Sequence, residues 1–521
     1  MAAAITTTAS IPRTYARTRG DRIALHYGDD AISFRELDQR SSRIAQGLRA
    51  EGVSEQEHVA LIDKNGPEYF EILFGAAKLN AITVAVNWRL APREMAYIVN
   101  DAEARVLFVG ADFVEHVEKI RSELTTVKKV IVLGEGAGDD RFPAWRDSHP
   151  ADDPGVEAAG GDVALQLYTS GTTGLPKGVM LTNDNLFSLV PHAAEQWEID
   201  ENSVNLVAMP LFHIGGSGWA LVGMYHGGES VVLREVDPVA ILAAVPRHAI
   251  THGFLVPAVL QFLLVTPGVE STDFSSLRVL AYGAAPITDE VLKRSLAAFR
   301  CKFIQLYGLT ETTGAITQLG AEDHDPDHRP ELLRSCGKPF PWVELRVVDG
   351  ETGQDRPAGE VGELWTRSPQ NMKGYWHQPE ETAKTVVEGG WLRTGDAGYL
   401  DDAGYMYLYD RVKDMIVSGG ENVYPAEIEN VLMSHPAVAD VAVIGVPHDR
   451  WGETVKAIVV AEPGTTPEPA ELIAFTRERL AHFKCPTSVD FTDLLPRNPS
   501  GKLLKRELRE PFWADRDRRI G

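Results

Sequence analysis

The sequence predicts an α/β protein of two unequal domains. A large N-terminal domain holds mainly parallel sheets covered by helices and carries a β-rich subdomain; a small C-terminal α+β domain follows. Three observations predict this. At 521 residues the chain exceeds the size at which a single hydrophobic core stops growing. Strand-length apolar runs alternate with helix-period runs through the first third, and apolar segments alternate with glycine-rich turns from Val204 to Leu319; both patterns belong to parallel sheets wrapped by helices. After a break near Asp410 to Lys413 the pattern becomes two long apolar runs, one helix-period run and one short strand.

The elements follow from local chemistry. Ser33 and Glu36 are spaced as a capping box, opening a helix with Leu37, Ile44 and Leu48 on one side and Gly52 past its end. Strands are expected at 59–62, 82–86, 106–109 and 130–133, and helices at 68–79, 93–100 and 114–124. Asp139 to Gly161 holds three prolines and three glycines and reads as a surface connection. Val163 to Leu167 is a strand, and Thr182 with the following Asn-Asp-Asn caps a helix. Glu344 to Val348 and Glu363 to Thr366 mark the β-rich region. In the last part, strands are expected at 438–446, 454–460 and 488–491 and a helix at 469–483. Domains are accordingly placed at 1–411 and 412–521.

Composition narrows the function classes. Fifty-one Lys and Arg against 74 Asp and Glu give a net charge of −23, which argues against general binding to nucleic acid or anionic membrane. Cys301, Cys336 and Cys485 are too scattered for a disulfide framework or a zinc site and read as reduced thiols. Met1 to Ser10 lacks the progression of a signal peptide, and no apolar run reaches the roughly 18 residues of a membrane span. The expected location is cytoplasmic. A homodimer and a peripheral membrane contact are both compatible with these features. Between Ala321 and Glu331, His324 and His328 stand among five acids, but Pro326 and Pro330 oppose a helix that would align them, so a solvated loop is expected rather than a metal site.

The most informative stretch is Tyr-Thr-Ser-Gly-Thr-Thr-Gly-Leu-Pro-Lys-Gly-Val at 168–179. Gly171, Gly174 and Gly178 let backbone N–H groups turn toward an anion, Thr169, Ser170, Thr172 and Thr173 add hydroxyl donors, and Lys177 adds charge, a set suited to a polyphosphate. It is not a Walker A loop, because Pro176 precedes the lysine and Gly178 follows it. Alone, it also fits a Gly/Thr turn.

It is followed, in order, by Pro-Leu-Phe-His-Ile-Gly-Gly (210–216), Gly-Ala-Ala-Pro (283–286), Tyr-Gly-Leu-Thr-Glu (307–311), Thr-Gly-Asp (394–396), Asp-Arg-Val-Lys-Asp (410–414), Ser-Gly-Gly-Glu-Asn-Val-Tyr-Pro (418–425) and Pro-Ser-Gly-Lys (499–502). This ordered set resembles the adenylate-forming superfamily, specifically acyl-CoA synthetases acting on fatty or aryl acids, over nearly the whole chain. The resemblance implies that a carboxylic acid is joined to the α-phosphate of ATP with Mg²⁺, and that the acyl group then passes to CoA. It implies that Lys502 bridges the acid carboxylate and the α-phosphate. Residues 169–174 and Lys177 would hold the phosphates, and Gly283, Ala284, Ala285 and Tyr307 the adenine. Thr310 would contact phosphate and Glu311 the magnesium ion, with Asp396 and Arg411 on the ribose. Lys413 would be the hinge of a mobile C-terminal domain, Gly419 and Gly420 would line the CoA tunnel, and His213 would sit beside the acyl carbonyl. Each has a plainer reading in isolation: Lys502 as the start of a basic tail, Tyr307 as a core residue, Asp396 and Arg411 as surface charges, and the paired glycines as a turn.

The acid is expected to lie against Ile214, Gly215, Trp219, Gly308 and neighbouring Met224 and Ala315, apolar or small residues among which no Lys or Arg offers itself to a second carboxylate. Amino-acid-activating relatives place an Asp near Pro-x-Phe-His, which is absent here. The substrate expected is therefore an apolar monocarboxylic acid, medium- or long-chain fatty, with an aryl acid or delivery to a carrier protein as alternatives.

Overall fold

The protein is described by a computed structural model covering residues 5–134, 141–169, 175–285, 287–350, 352–411, 414–418, 421–423, 425–448, 452–480, 482–497 and 503–514. Among these residues the strands form four sheets, of nine, seven, five and five strands. In the seven-stranded sheet, His58–Ile62, Ile82–Ala85, Val106–Val109, Lys129–Val132 and Val163–Thr169 run parallel, and Lys177–Thr182 and Gly374–Tyr375 close one edge antiparallel. The nine-stranded sheet has six parallel strands, including Val204–Val207, His252–Leu255, Val279–Gly283 and Lys302–Leu309, and antiparallel strands at both edges. One large apolar core joins these two sheets. The last sheet, from Ile416 to Phe491, packs its own cores.

Local chemistry set most of the boundaries. The Ser33/Glu36 capping box forms as expected on the helix Phe34–Ala50, and Thr182 caps Asn183–Gln196 in a box with Asn185; each such cap stabilises its helix by about 1 kcal/mol. The strands at 106–109 and 488–491 stand where the pattern put them.

Two expectations need correction. Between Asp139 and Gly161 lies a helix, Phe142–Asp147, whose Phe142 and Trp145 are buried in the main core against Phe108. Proline density hid it because Pro143 occupies the first turn, where its missing N–H costs nothing. The segment 321–331 is not wholly solvated either. His324 is buried, its ring nitrogens meeting the Tyr282 hydroxyl at 3.0 Å and the Gly320 carbonyl at 2.7 Å. His328 stays exposed and pairs with Asp325, so the two histidines serve different structural ends. Cys301, Cys336 and Cys485 are free thiols. No helix among the described residues is long and apolar enough to cross a membrane.

Candidate active site

Four motif-bearing segments leave the carboxyl ends of parallel strands. Thr169 ends Val163–Thr169, His213 follows Val204–Val207, Ala284 follows Val279–Gly283, and Thr310 follows Lys302–Leu309. In open α/β sheets this is the end at which ligands bind. A surface cavity of about 450 Å³, lined by Arg278, Arg300, Lys302 and His324 among others, lies instead at the amino ends of the strands starting at Val279 and Lys302, and contains none of the motif residues.

Tyr307 and Asp396, 89 positions apart, meet directly: the buried phenol donates to Asp396 Oδ2 at 2.7 Å. Asp396 is brought there by the long strand Trp391–Leu400, with Thr394 Oγ1 accepting from its backbone N–H at 3.1 Å and donating to Leu364 O at 2.7 Å. Across the antiparallel ladder Asp396 faces Arg411. Tyr307 is placed by a β-bulge between positions 307 and 308, a device that re-aims a side chain at the end of a ladder. Beside it, a Cβ on Gly283 would fall 2.0 Å from Leu306 O and one on Gly308 1.9 Å from Gly314 O. Both glycines are therefore required by backbone packing, whatever ligand lies nearby. Ala284 adopts a left-handed φ of +65°, uncommon for a residue with a Cβ.

The loop from Thr310 to Gly314 is held from below by a segment that sequence reading passed over, Ser368 to Tyr375. Gln370 is fully buried; its Nε2 donates to Thr312 O and Ala315 O, both at 2.7 Å, and its Oε1 accepts from Trp342 Nε1 at 2.8 Å. Its carbonyl accepts from the Thr313 hydroxyl. Thr313, β-branched and buried, has φ +54°, and this clamp holds that strained turn in place. Met372 N donates to Glu311 O at 2.8 Å, and Tyr375 OH donates to Glu311 Oε1 at 2.9 Å. Burial, followed by the Glu311 charge, pushes the Tyr375 phenol above its ordinary range, so it remains a donor.

Lys177, from the phosphate-loop motif, is buried and ion-paired to Glu381 on the helix Pro379–Thr385, and its Nζ lies 5.1 Å from the Tyr375 ring centroid. Hydrogen bonds from Lys177 and Lys384 hold the Glu381 carboxyl down at about 2. Glu311 is an oxygen donor of the kind Mg²⁺ takes one or two of, and its Oε2 has no protein donor among the described residues; the residues present fit that ion.

Where the acid is expected, His213 precedes the helix Ile214–Tyr225, which carries Gly215 and Trp219 on one face. Burial, then the Arg89 charge, lowers the His213 imidazole to about 4, leaving it neutral. Its Nε2 is buried without a hydrogen-bond partner among the described residues, as is Trp219 Nε1. Trp219 stacks on Trp197 with centroids 5.2 Å apart and faces Phe254 at 6.0 Å. A Cβ on Gly215 would come 3.0 Å from Phe254, whereas one on Gly216 would strike Pro210 O at 2.2 Å; Gly215 borders the aromatic group, and Gly216 is there for packing rather than for room. Beyond the residues named for the pocket, the Arg89 guanidinium lies 4.5 Å from the Trp88 ring and 5.9 Å from that of Phe212.

The structure thus brings Thr310 and Glu311 together with Lys177, and Tyr307 with Asp396 and the backbone of Arg411. Ser170, Gly171, Thr172, Thr173, Gly174, Lys413, Gly419, Gly420 and Lys502 lie outside the described residues. Around them, Ser418 pairs with Glu421, and Arg497 with Leu503 in an antiparallel bridge.

Residues 12–376 match the family model of the AMP-binding enzyme, and residues 427–502 that of the AMP-binding enzyme C-terminal domain. The chain belongs to this adenylate-forming family. It is 42% identical over 496 residues to the fatty acid–[acyl-carrier-protein] ligase ScoC of Streptomyces coeruleorubidus, covering 94% of this chain and 93% of that protein. It is 39% identical over 506 residues to the feruloyl-CoA synthase of an Amycolatopsis species, covering 96% and 98%. The crystal structure of ATP-bound MatB from Rhodopseudomonas palustris superimposes with a TM-score of 0.88 at 30% identity, covering 97% of this chain and 99% of that one. The chain is accordingly an enzyme, a ligase that adenylates an acid for transfer to the thiol of CoA or of an acyl carrier protein, and its nucleotide is ATP.

Proposed function

We propose that this ligase converts an apolar monocarboxylic acid, ATP and CoA into acyl-CoA, AMP and pyrophosphate. The observation that carries the reading is the buried Tyr307–Asp396 pair beside Gly283 to Ala285, a place for an adenosine at the carboxyl ends of the strands. Asp396, acceptor-only when ionised, takes the ribose hydroxyls with Arg411 next to it on the ladder. Tyr307 covers the adenine, and residues 169–174 with Thr310 and Lys177 take the phosphates. Mg²⁺ held by Glu311 supplies neutralising charge at the phosphate oxygens.

A carboxylate oxygen of the acid attacks the α-phosphorus, the bond to the bridging oxygen breaks, and pyrophosphate leaves. Lys502 places its charge between the two anions, where a fixed cation needs no reorganisation as charge shifts. The thiol sulfur then attacks the acyl carbonyl carbon and AMP leaves, the thiol proton going to solvent. Residues 1–411 and 412–521 act as the two bodies of this cycle. Lys413 is the hinge, and Gly419 and Gly420 line the path of the thiol. Neutral His213 packs beside the acyl group, with Ile214, Gly215, Trp219 and Gly308 around it. The aromatic wall of Trp197, Trp219 and Phe254 favours a second reading of the acid, an aryl acid, and the 39% relative named a feruloyl-CoA synthase supports it.

With acid, ATP and Mg²⁺ but no thiol, the enzyme should release pyrophosphate and accumulate acyl-adenylate; ADP and inorganic phosphate would overturn the reading. A panel of alkyl and aryl acids, with CoA and a phosphopantetheinylated carrier protein as alternative acceptors and mass spectrometry of the thioester, fixes acid and acceptor.

A further inference from the structure

Tyr375 belongs to no motif singled out in the sequence, yet it touches two groups of the phosphate side. Its edge strand pairs with the strand that follows the phosphate loop, Tyr375 standing opposite Val179. That register lays the ring against Lys177, 5.1 Å from Nζ to centroid. The hydroxyl reaches across to Glu311 Oε1 at 2.9 Å. The residue is itself fixed on the other side, its backbone N–H donating to Thr382 Oγ1 at 2.9 Å, and Thr382 lies on the helix that brings Glu381 to Lys177.

Resting on the proposed role of Glu311, we propose that Tyr375 is a positioning residue for the metal-bearing carboxylate: its hydroxyl occupies Oε1 and so presents Oε2 to a divalent cation. Two features separate this from ordinary packing. A buried phenol needs one acceptor, and here it takes a carboxylate oxygen at a strand end where the ligand belongs, rather than a carbonyl of the core. Glu311 is gripped through its main chain as well, by Met372 N at 2.8 Å, so one segment, Ser368 to Tyr375, sets both the position of the residue and the rotation of its carboxylate. Without the hydroxyl, the carboxylate turns freely, and an ion that accepts only near-ideal geometry loses a preset ligand.

The test is calorimetric, on the full chain and without acid substrate. ATP affinity is measured across a Mg²⁺ titration, with AMP as the metal-independent reference ligand, for wild type, Tyr375→Phe, Glu311→Asp and the double variant. Phe keeps the ring against Lys177 and removes only the hydroxyl; Asp withdraws the carboxylate from the tyrosine without altering the core. Loss of a hydrogen bond to a charged group is worth on the order of 10-fold in binding. Tyr375→Phe should therefore need about 10-fold more Mg²⁺ to tighten ATP, with AMP affinity and thermal unfolding as in wild type, and the double variant should be no worse than Glu311→Asp alone, as expected of groups acting as a unit. Identical Mg²⁺ titrations for wild type and Tyr375→Phe would overturn the proposal. Equal loss of AMP affinity, or additive losses in the double variant, would overturn it too. Should Tyr375→Phe not fold, Glu311→Asp carries the test, since a wild-type Mg²⁺ response in that variant refutes the preset geometry. If wild type itself shows no Mg²⁺ effect on ATP, the role proposed for Glu311 fails, a result distinct from failure at Tyr375 alone.

Discussion

The proposed nucleotide side and the proposed acid side of this site are built on opposite terms. On the first, Tyr307, Asp396, Glu311, Tyr375 and Lys177 are each engaged with another charged or polar side chain. On the second, His213 Nε2 and Trp219 Nε1 are buried with no partner among the described residues, each at a cost of about 1–3 kcal/mol. Pairing fixes a geometry before the ligand arrives, which suits a nucleotide shared by a whole family. Unpaired donors and acceptors leave specificity to whichever acid supplies the missing partner, which suits a site whose substrates differ between relatives.

The strongest way to break this contrast is Lys502→Ala, since the proposed chemistry places that cation where the two sides meet. Adenylation should fall about 10²- to 10³-fold, while transfer from supplied acyl-adenylate persists, as read by pyrophosphate release and thioester formation measured separately. Exposed Arg506 is the better control within the basic stretch, because Lys505 is ion-paired to Glu429 at 3.0 Å with both side chains largely buried. Equal behaviour of Lys502→Ala and Arg506→Ala would refute the assignment.

Within the nucleotide side, Asp396→Asn removes a charge-assisted acceptor and leaves its tyrosine in place. ATP and AMP should both bind about 10- to 100-fold more weakly by calorimetry; unchanged AMP affinity would show that the pair is structural only. On the acid side, Trp219→Phe deletes an unpaired N–H and should leave the melting temperature unchanged or raise it. The ratio of kcat/KM between aryl acids bearing a hydrogen-bond acceptor and alkyl acids should fall by about 10-fold, within the roughly 1–3 kcal/mol that pocket contacts command. An unaltered ratio would mean that the indole N–H reads nothing.

Two smaller effects sharpen the comparison. If Lys177 takes phosphate as proposed, Glu381 competes for it, so Glu381→Gln should tighten ATP about a few-fold in a binding titration. The last expected effect is null. Burial lowers the His213 pKa from its ordinary 6.5 to about 4, so the imidazole is neutral throughout pH 5 to 8 and protonates only as the pH falls toward 4. His213→Asn should change rates without moving the pH profile of adenylation in that window; a shifted limb would mean that the histidine works as a cation.

The motifs at 168–179, 283–286, 307–311 and 394–396 were legible in the sequence because each is a short run of particular residue types and the runs follow one another in the order of the family they resemble. The helix caps at Ser33 and Thr182 and the β-α alternation were legible for a similar reason, since each depends on neighbours a few residues apart. Phe142–Asp147 was not, because its stability comes from a core reached by only two of its side chains, Phe142 and Trp145. Gln370, Tyr375 and Arg89 were missed because their partners are distant in sequence: Gln370 binds the 312–315 turn, Tyr375 meets Glu311, and Arg89 lies over Phe212. Local pattern determined the alternation of strands and helices along the chain, and the ordered motifs, through their resemblance to a known family, the class of chemistry. The tertiary structure alone decided that Asp396 meets Tyr307, that Tyr375 on an edge strand reaches Glu311, and that His213 Nε2 and Trp219 Nε1 have no partner among the described residues, because side chains that meet across sheets leave no periodicity along the chain.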